Sequence, residues 1–335
     1  MLAFEAAPRA VRESRQPGVL PEFLTPLALA FLLSACGGGG GEVASTPAPR
    51  LAPPTPAPTP PTRPPLPAGP LGLTGGPFVT VAAEFDGISG EWPSTTTQQV
   101  RTGANLVTIS YSATDNSYTL ALPGIGQGKL VNPKGSGSSN NSTQWIRYTG
   151  TSFDLVGPDG QMTSVHLRYP TSSDLSYTST GSWYSGLTPQ RPLREGVFAY
   201  GLPTAAGTMP TSGTASYSAT IDGRSATSDY IWGSALFNFD FGSSLLSGNM
   251  KLTGSDGWDP VDLGTFTFRD TVYSRGSTVF SGRLSVPSST DTGSFAGQFT
   301  GPGGAELMGS FRTPAYNSVF KRWEDVAGVF SGKRQ

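Results

Sequence analysis

Few side chains in this 335-residue chain have types and spacings that could carry chemistry. There is one cysteine, Cys36, and one histidine, His166. A zinc or iron–sulfur site built from Cys and His is therefore excluded, as is an internal disulfide, and any His-based relay would depend on His166. Asp256, Asp259 and Asp262 share a stretch with Gly257. Their spacing is not that of a calcium loop, so they read as solvated turn acids. Glu306 follows a Gly-Pro turn, where a carboxylate more often caps backbone N–H groups and fixes the turn than acts as an acid catalyst. Acidic pairs at a glycosidase separation would arise by coincidence, and no nucleophile elbow, phosphate loop or zinc-binding helix motif is present. No catalytic residue and no metal ligand is assigned, the chain is read as a non-enzyme, and no cofactor is expected. Haem iron could use only His166, in Val165-His166-Leu167-Arg168-Tyr169, which reads more simply as a hydrogen-bonded strand residue. Tyr111, Tyr118, Tyr148, Tyr169, Tyr177, Trp183 and Tyr184 could form an adhesive patch, but such residues are more often core or cross-strand pairs. The net charge of −1 offers no basic field for nucleic acid.

The cysteine has a context. Arg9, Arg12 and Arg15 precede an apolar run from Phe23 to Leu33, too short to span a bilayer but suited to a signal peptide. Leu33-Ser34-Ala35-Cys36 resembles a bacterial lipobox, which implies cleavage before Cys36 and acylation of its thiol. Residues 1–35 then form a lipoprotein signal peptide. Residues 36–74 form a Gly- and Pro-rich tether. Between Glu42 and Pro70 proline denies both helix and sheet, so about 29 residues in polyproline II would reach roughly 90 Å.

The remainder reads as all-β. Apolar residues alternate in Leu106–Tyr111, Tyr118–Leu122, Thr214–Ile221, Leu236–Phe241 and Thr265–Arg269. In Leu236–Phe241 the rings Phe237, Phe239 and Phe241 share one face. Gly-x-Phe recurs at Gly196/Phe198, Gly264/Phe266, Gly293/Phe295, Gly297/Phe299, Gly309/Phe311 and Gly328/Phe330, with Gly181/Trp183 as a variant. The glycines read as bulge or corner positions, and the aromatics as filling a narrow barrel. The break is placed at the Pro-punctuated residues 186–192. This divides a β-rich region, 75–190, from a barrel, 194–335.

Gly301-Pro302-Gly303-Gly304-Ala305-Glu306-Leu307-Met308-Gly309-Ser310-Phe311 resembles the closing motif of the transferrin-binding-protein-B-like surface lipoproteins. Gly297 and Phe299 lie in a strand similar to the one leading into it. Met308 and Gly303-Gly304 depart from the usual pattern without changing its spacing. The resemblance implies an aqueous, lipocalin-sized, eight-stranded antiparallel barrel beside a β-rich handle, with Gly297, Phe299, Gly301, Pro302, Glu306, Gly309 and Phe311 as structural positions. It implies a monomer anchored by lipid at the outer membrane, binding an extracellular protein or an iron or haem carrier through its loops. A structural envelope lipoprotein and a β-rich carbohydrate-active enzyme remain alternatives.

Overall fold

The computed structural model describes residues 76–86, 99–115, 117–131, 144–147, 150–157, 160–168, 175–186, 194–225, 230–255 and 259–335. Eleven strands come first: β1 Gly76–Pro77, β2 Val79–Asp86, β3 Gln99–Gly103, β4 Thr108–Ser112, β5 Ser117–Leu122, β6 Gly126–Val131, β7 Gln144–Arg147, β8 Gly150–Val156, β9 Met162–Arg168, β10 Thr178–Ser185 and β11 Arg194–Gly201. They form a four-stranded sheet, β1-β4-β5-β6, and a seven-stranded sheet, β3-β2-β11-β10-β9-β8-β7. Eight longer strands follow: β12 Thr214–Ser225, β13 Tyr230–Asp240, β14 Leu245–Ser255, β15 Pro260–Tyr273, β16 Val279–Ser285, β17 Thr292–Thr300, β18 Glu306–Asn317 and β19 Arg322–Arg334. These close into an antiparallel barrel, β19 pairing back onto β12.

Side-chain alternation decides which way the barrel faces. Tyr217, Phe237, Phe239, Phe241, Phe266, Phe268, Phe280, Phe295, Phe299, Phe311 and Phe330 are buried in one cluster. Phe237 lies 4.9 Å from both Phe268 and Phe330, and Phe239 lies 4.9 Å from Phe299. The intervening residues Ser218, Thr220, Ser234, Ser247, Asn249, Lys251, Thr265, Thr267, Arg269 and Ser294 are exposed. Rings inside and hydroxyls and charges outside is the inverse of a membrane-spanning barrel. An eight-stranded barrel is only wide enough for its own side chains, and here aromatic rings fill it.

The recurring Gly-x-Phe pattern has a cross-strand cause. On β16 and β17, Phe280 faces Gly297 and Gly282 faces Phe295. On β18 and β19, Gly309 faces Phe330 and Phe311 faces Gly328. A Cβ on Gly282 would lie 2.7 Å from the Phe295 ring, and one on Gly328 would lie 2.8 Å from the Phe311 ring. Each ring lies across the glycine opposite, so the two strands interlock reciprocally. The expected role in bulges holds at Gly264, which has φ +100° where the β14–β15 register shifts. At Gly297, Gly309 and Gly328 the glycine instead makes room for a ring.

The same interlock joins β10 and β11, with Gly181 facing Phe198 and Trp183 facing Gly196. The pattern therefore marks ring-on-glycine pairing and not membership of the barrel. This corrects the expected barrel start at residue 194: β11 lies in the seven-stranded sheet, paired with β2 and β10, and the barrel begins at Thr214. β2 and β11 are buried on both faces. Val81, Ala83, Phe85, Val197 and Ala199 pack with Met308, Ala327 and Val329 from the outside of β18 and β19. Ala82, Phe198 and Tyr200 face the other way, into a core shared with Ile109, Tyr118 and Leu120 of the four-stranded sheet. At the edge of this sandwich the buried Glu84 is held by Arg101 at 2.8 Å and Arg194 Nε at 2.9 Å, the pairing that a buried carboxylate requires.

Gly282→Ala is expected to lower stability by about 1–3 kcal/mol, the usual result of overpacking. Phe295→Leu should cost less in that background than alone, as read from a double-mutant cycle of urea unfolding.

Candidate binding surface

With the barrel axis filled, the hollows open to a partner are on the outer surface. The clearest feature lies at the rim carrying the turns at 286–291 and 318–321. Tyr316 and Trp323 are direct cross-strand partners on β18 and β19, with ring centroids 5.5 Å apart at 60°. They are 44% and 45% exposed, unlike the buried rings within. Their hairpin is braced, because Asn317 Oδ1 accepts from the backbone N–H groups of Val319 at 3.1 Å and Phe320 at 3.2 Å. Tyr316 and Trp323 line a hollow of about 460 Å³ with Asp262, Leu263, Pro287 and Ser318. Half-exposed aromatic rings beside a concavity are favoured contacts for a partner. Sequence reasoning missed this pair. The aromatics it weighed lie in the first sheets, where Tyr118 and Trp183 are core residues and Tyr111 packs on Tyr118 at 4.9 Å, the core and cross-strand roles preferred for them. Tyr148 and Tyr169 lie outside the described residues.

The Gly-Pro motif lies at the opposite end, where it ties the barrel to the seven-stranded sheet. Gly301 has φ +72° and lies against the Tyr177 ring, leaving no room for a Cβ. Its N–H donates to Leu202 O at 2.9 Å, and Thr204 Oγ1 donates to its carbonyl at 2.8 Å. Pro302–Gly304 make a short 3-10 turn, and Tyr217 Oη donates to Gly304 O at 2.6 Å. Burial pushes the Tyr217 phenol up to about 12. Glu306 reaches away from its own turn. It accepts the backbone N–H groups of Ser176 at 2.5 Å and Tyr177 at 3.0 Å, about 130 residues earlier. The carboxylate caps N–H groups as its residue type predicts, but those of another sheet. Burial raises its pKa, and the same N–H bonds oppose that shift. Gly297, Gly309 and Phe311 take part in the interlock, and Phe299 fills the barrel. Met308, a departure from the motif, is fully buried between barrel and sheet.

A second tie joins the two parts through charge. Arg168 of β9 pairs with Asp222 of β12 at 2.9 Å, and Arg224 reaches Glu195 of β11 at 3.5 Å. Arg224 also lies over the Tyr230 ring at 4.7 Å.

Leu33, Ser34, Ala35 and Cys36 lie outside the described residues, as do Asp256 and all of the 186–192 link except Gly186. Asp259 and Asp262 are exposed. His166 is partly buried on β9, flanked by β8 and β10. Among the described residues, no group of three or more His, Cys, Asp or Glu is placed to hold a metal ion.

No protein-family model and no curated protein matches the chain. Several solved structures are similar to it. Intact Ap-TbpB, with N and C lobes, is 18% identical with a TM-score of 0.44, over 77% of this chain and 46% of that one. Isotype 1 transferrin binding protein B from serogroup B Neisseria meningitidis is 19% identical with a TM-score of 0.40, over 77% and 43%. A structure described as a surface lipoprotein is 14% identical with a TM-score of 0.39, over 76% and 98%. This chain thus spans less than half the length of the first two. At these identities and TM-scores the likeness carries no activity or partner across to this chain.

Glu306→Ala is expected to lower stability by about 1–2 kcal/mol by leaving two N–H groups without their acceptor. The pH response is the more specific readout. A folded pKa raised above the unfolded one means that the native state holds the proton more tightly. The contribution of this group is therefore fully present below about pH 4.5 and falls as pH rises through the raised folded value. Glu306→Gln should remove that fall in a series of urea midpoints against pH.

Proposed function

We propose that this chain is a lipid-anchored outer-membrane protein that captures an extracellular protein, or a carrier of iron or haem, on its outer surface. It acts as a monomer and as a binding protein, without catalysis. In this reading residues 1–35 are removed, Cys36 is acylated, and residues 36–74 hold the β region clear of the bilayer. The lipobox-like Leu33-Ser34-Ala35-Cys36 and the Pro-rich stretch that follows support the anchor.

The observation that carries the capture reading is the half-exposed Tyr316–Trp323 pair, two rings in direct contact on a braced hairpin beside a hollow. Large exposed rings lower solubility and are retained where a partner covers them. The filled interior argues against a small ligand held along the axis, as a wider barrel would hold one.

Two experiments test this reading. In the first, whole cells carrying an epitope appended after Gln335, beyond the closing strand β19, are treated with external protease, with Cys36→Ala as the control. Loss of the epitope from intact cells and release of the Cys36→Ala protein from membranes are expected. Survival of the epitope until the outer membrane is broken would defeat surface capture. In the second, the immobilised chain is passed through serum and culture medium. Retention of a specific protein should fall at least about tenfold in Tyr316→Ala and Trp323→Ala, a loss of about 1.4 kcal/mol. Unaltered retention would move the binding site away from this rim.

A further inference from the structure

We infer that the rim hollow is a cage for a cationic side chain, a lysine or arginine presented by the captured protein. This deepens the capture reading of the same surface and rests on it. Three groups in one hollow carry the inference. Tyr316 and Trp323 line it as half-exposed residues, and the face of an aromatic ring is the negative pole of its quadrupole. Asp262 adds a formal negative charge to the same wall. Two tilted rings with a carboxylate attract a cation by two independent terms, and a neutral group gains from neither.

The cage is held in shape before anything binds. Asp262 Oδ1 accepts the Gly264 N–H at 2.9 Å, which fixes the carboxylate at the β15 bulge. Among the described residues that N–H is its hydrogen-bond donor, and no cation forms an ion pair with it. Pro287 closes on Gly264, where a Cβ would lie 2.9 Å from the proline ring. Asn317 braces the turn beneath the aromatic pair. The basic residues of the hairpin are placed otherwise. Arg322 pairs with the buried Glu324 at 2.9 Å, and Lys321 occupies the turn itself with φ +52°. Charge complementarity therefore selects a cation, and the half-exposed rings leave room for one at the end of a long side chain.

The test titrates the full-length chain with Nα-acetyl-lysine amide and Nα-acetyl-arginine amide. Nα-acetyl-norleucine amide serves as the neutral isostere and methyl glucoside as a sugar control. Binding is followed by calorimetry. A cationic amide is expected to saturate one site at least about tenfold more tightly than the norleucine amide, equivalent to 1.4 kcal/mol. Asp262→Asn and Trp323→Ala should each remove most of that preference. Asp262→Asn should keep the parent's thermal midpoint, since the amide oxygen can still accept the Gly264 N–H, while Trp323→Ala should lower it slightly through the lost cross-strand contact with Tyr316. Equal affinity for the lysine and norleucine amides, indifference to Asp262→Asn, saturation by methyl glucoside instead, or no saturation by any probe would each overturn the cage. Protein capture that needs Trp323 but shows no cation preference would leave the capture reading standing and remove only the cage. Cation binding without any captured protein would do the reverse.

Discussion

The narrowness of an eight-stranded barrel is the constraint on which the rest of this structure depends. Its interior admits side chains and little else. This chain fills it with twelve large rings whose bulk would force the strands apart if each faced another bulky residue. Glycine opposite the ring is the solution on β16–β17 and again on β18–β19. The pairs are reciprocal, so each strand gives one ring and accepts one. A strand slipped by one residue would turn its rings to water and its hydroxyls to the core, which pins the register along the whole hairpin.

A filled interior moves every other function outward. The outer faces of β18 and β19 take the seven-stranded sheet, which explains why Met308, Ala327 and Val329 are apolar where outward positions of other strands are polar. β2 and β11 then become central strands covered on both faces, and their sequences lose alternation in favour of continuous burial. The Gly-Pro turn and Glu306 close one end of this contact, while the Arg168–Asp222 and Arg224–Glu195 pairs add charge to it. None of these groups is left to meet a ligand. At the opposite rim, Tyr316 and Trp323 have neither a barrel interior nor a covering sheet among the described residues.

Much of this was legible in the residues. The phenylalanines that recur at every second position in Leu236–Phe241 and Thr265–Arg269 specify half-buried strands, because the side-chain period of a strand is two. The single Cys and the single His limit the chemistry by arithmetic. Gly-x-Phe announces ring packing, and the residue type of Glu306 announces a cap. Tertiary structure decided the rest, for a shared reason: each remaining fact depends on which groups from distant parts of the chain meet. A glycine that bends a strand and one that yields to a ring look alike until the opposite strand is placed, and so the barrel start fell at Arg194 instead of Thr214. The N–H groups that Glu306 accepts lie about 130 residues away, beyond any local signal. Tyr118 and Tyr316 are the same residue type in similar strands. One is buried because a second sheet covers it, and the other is half exposed because no described element does.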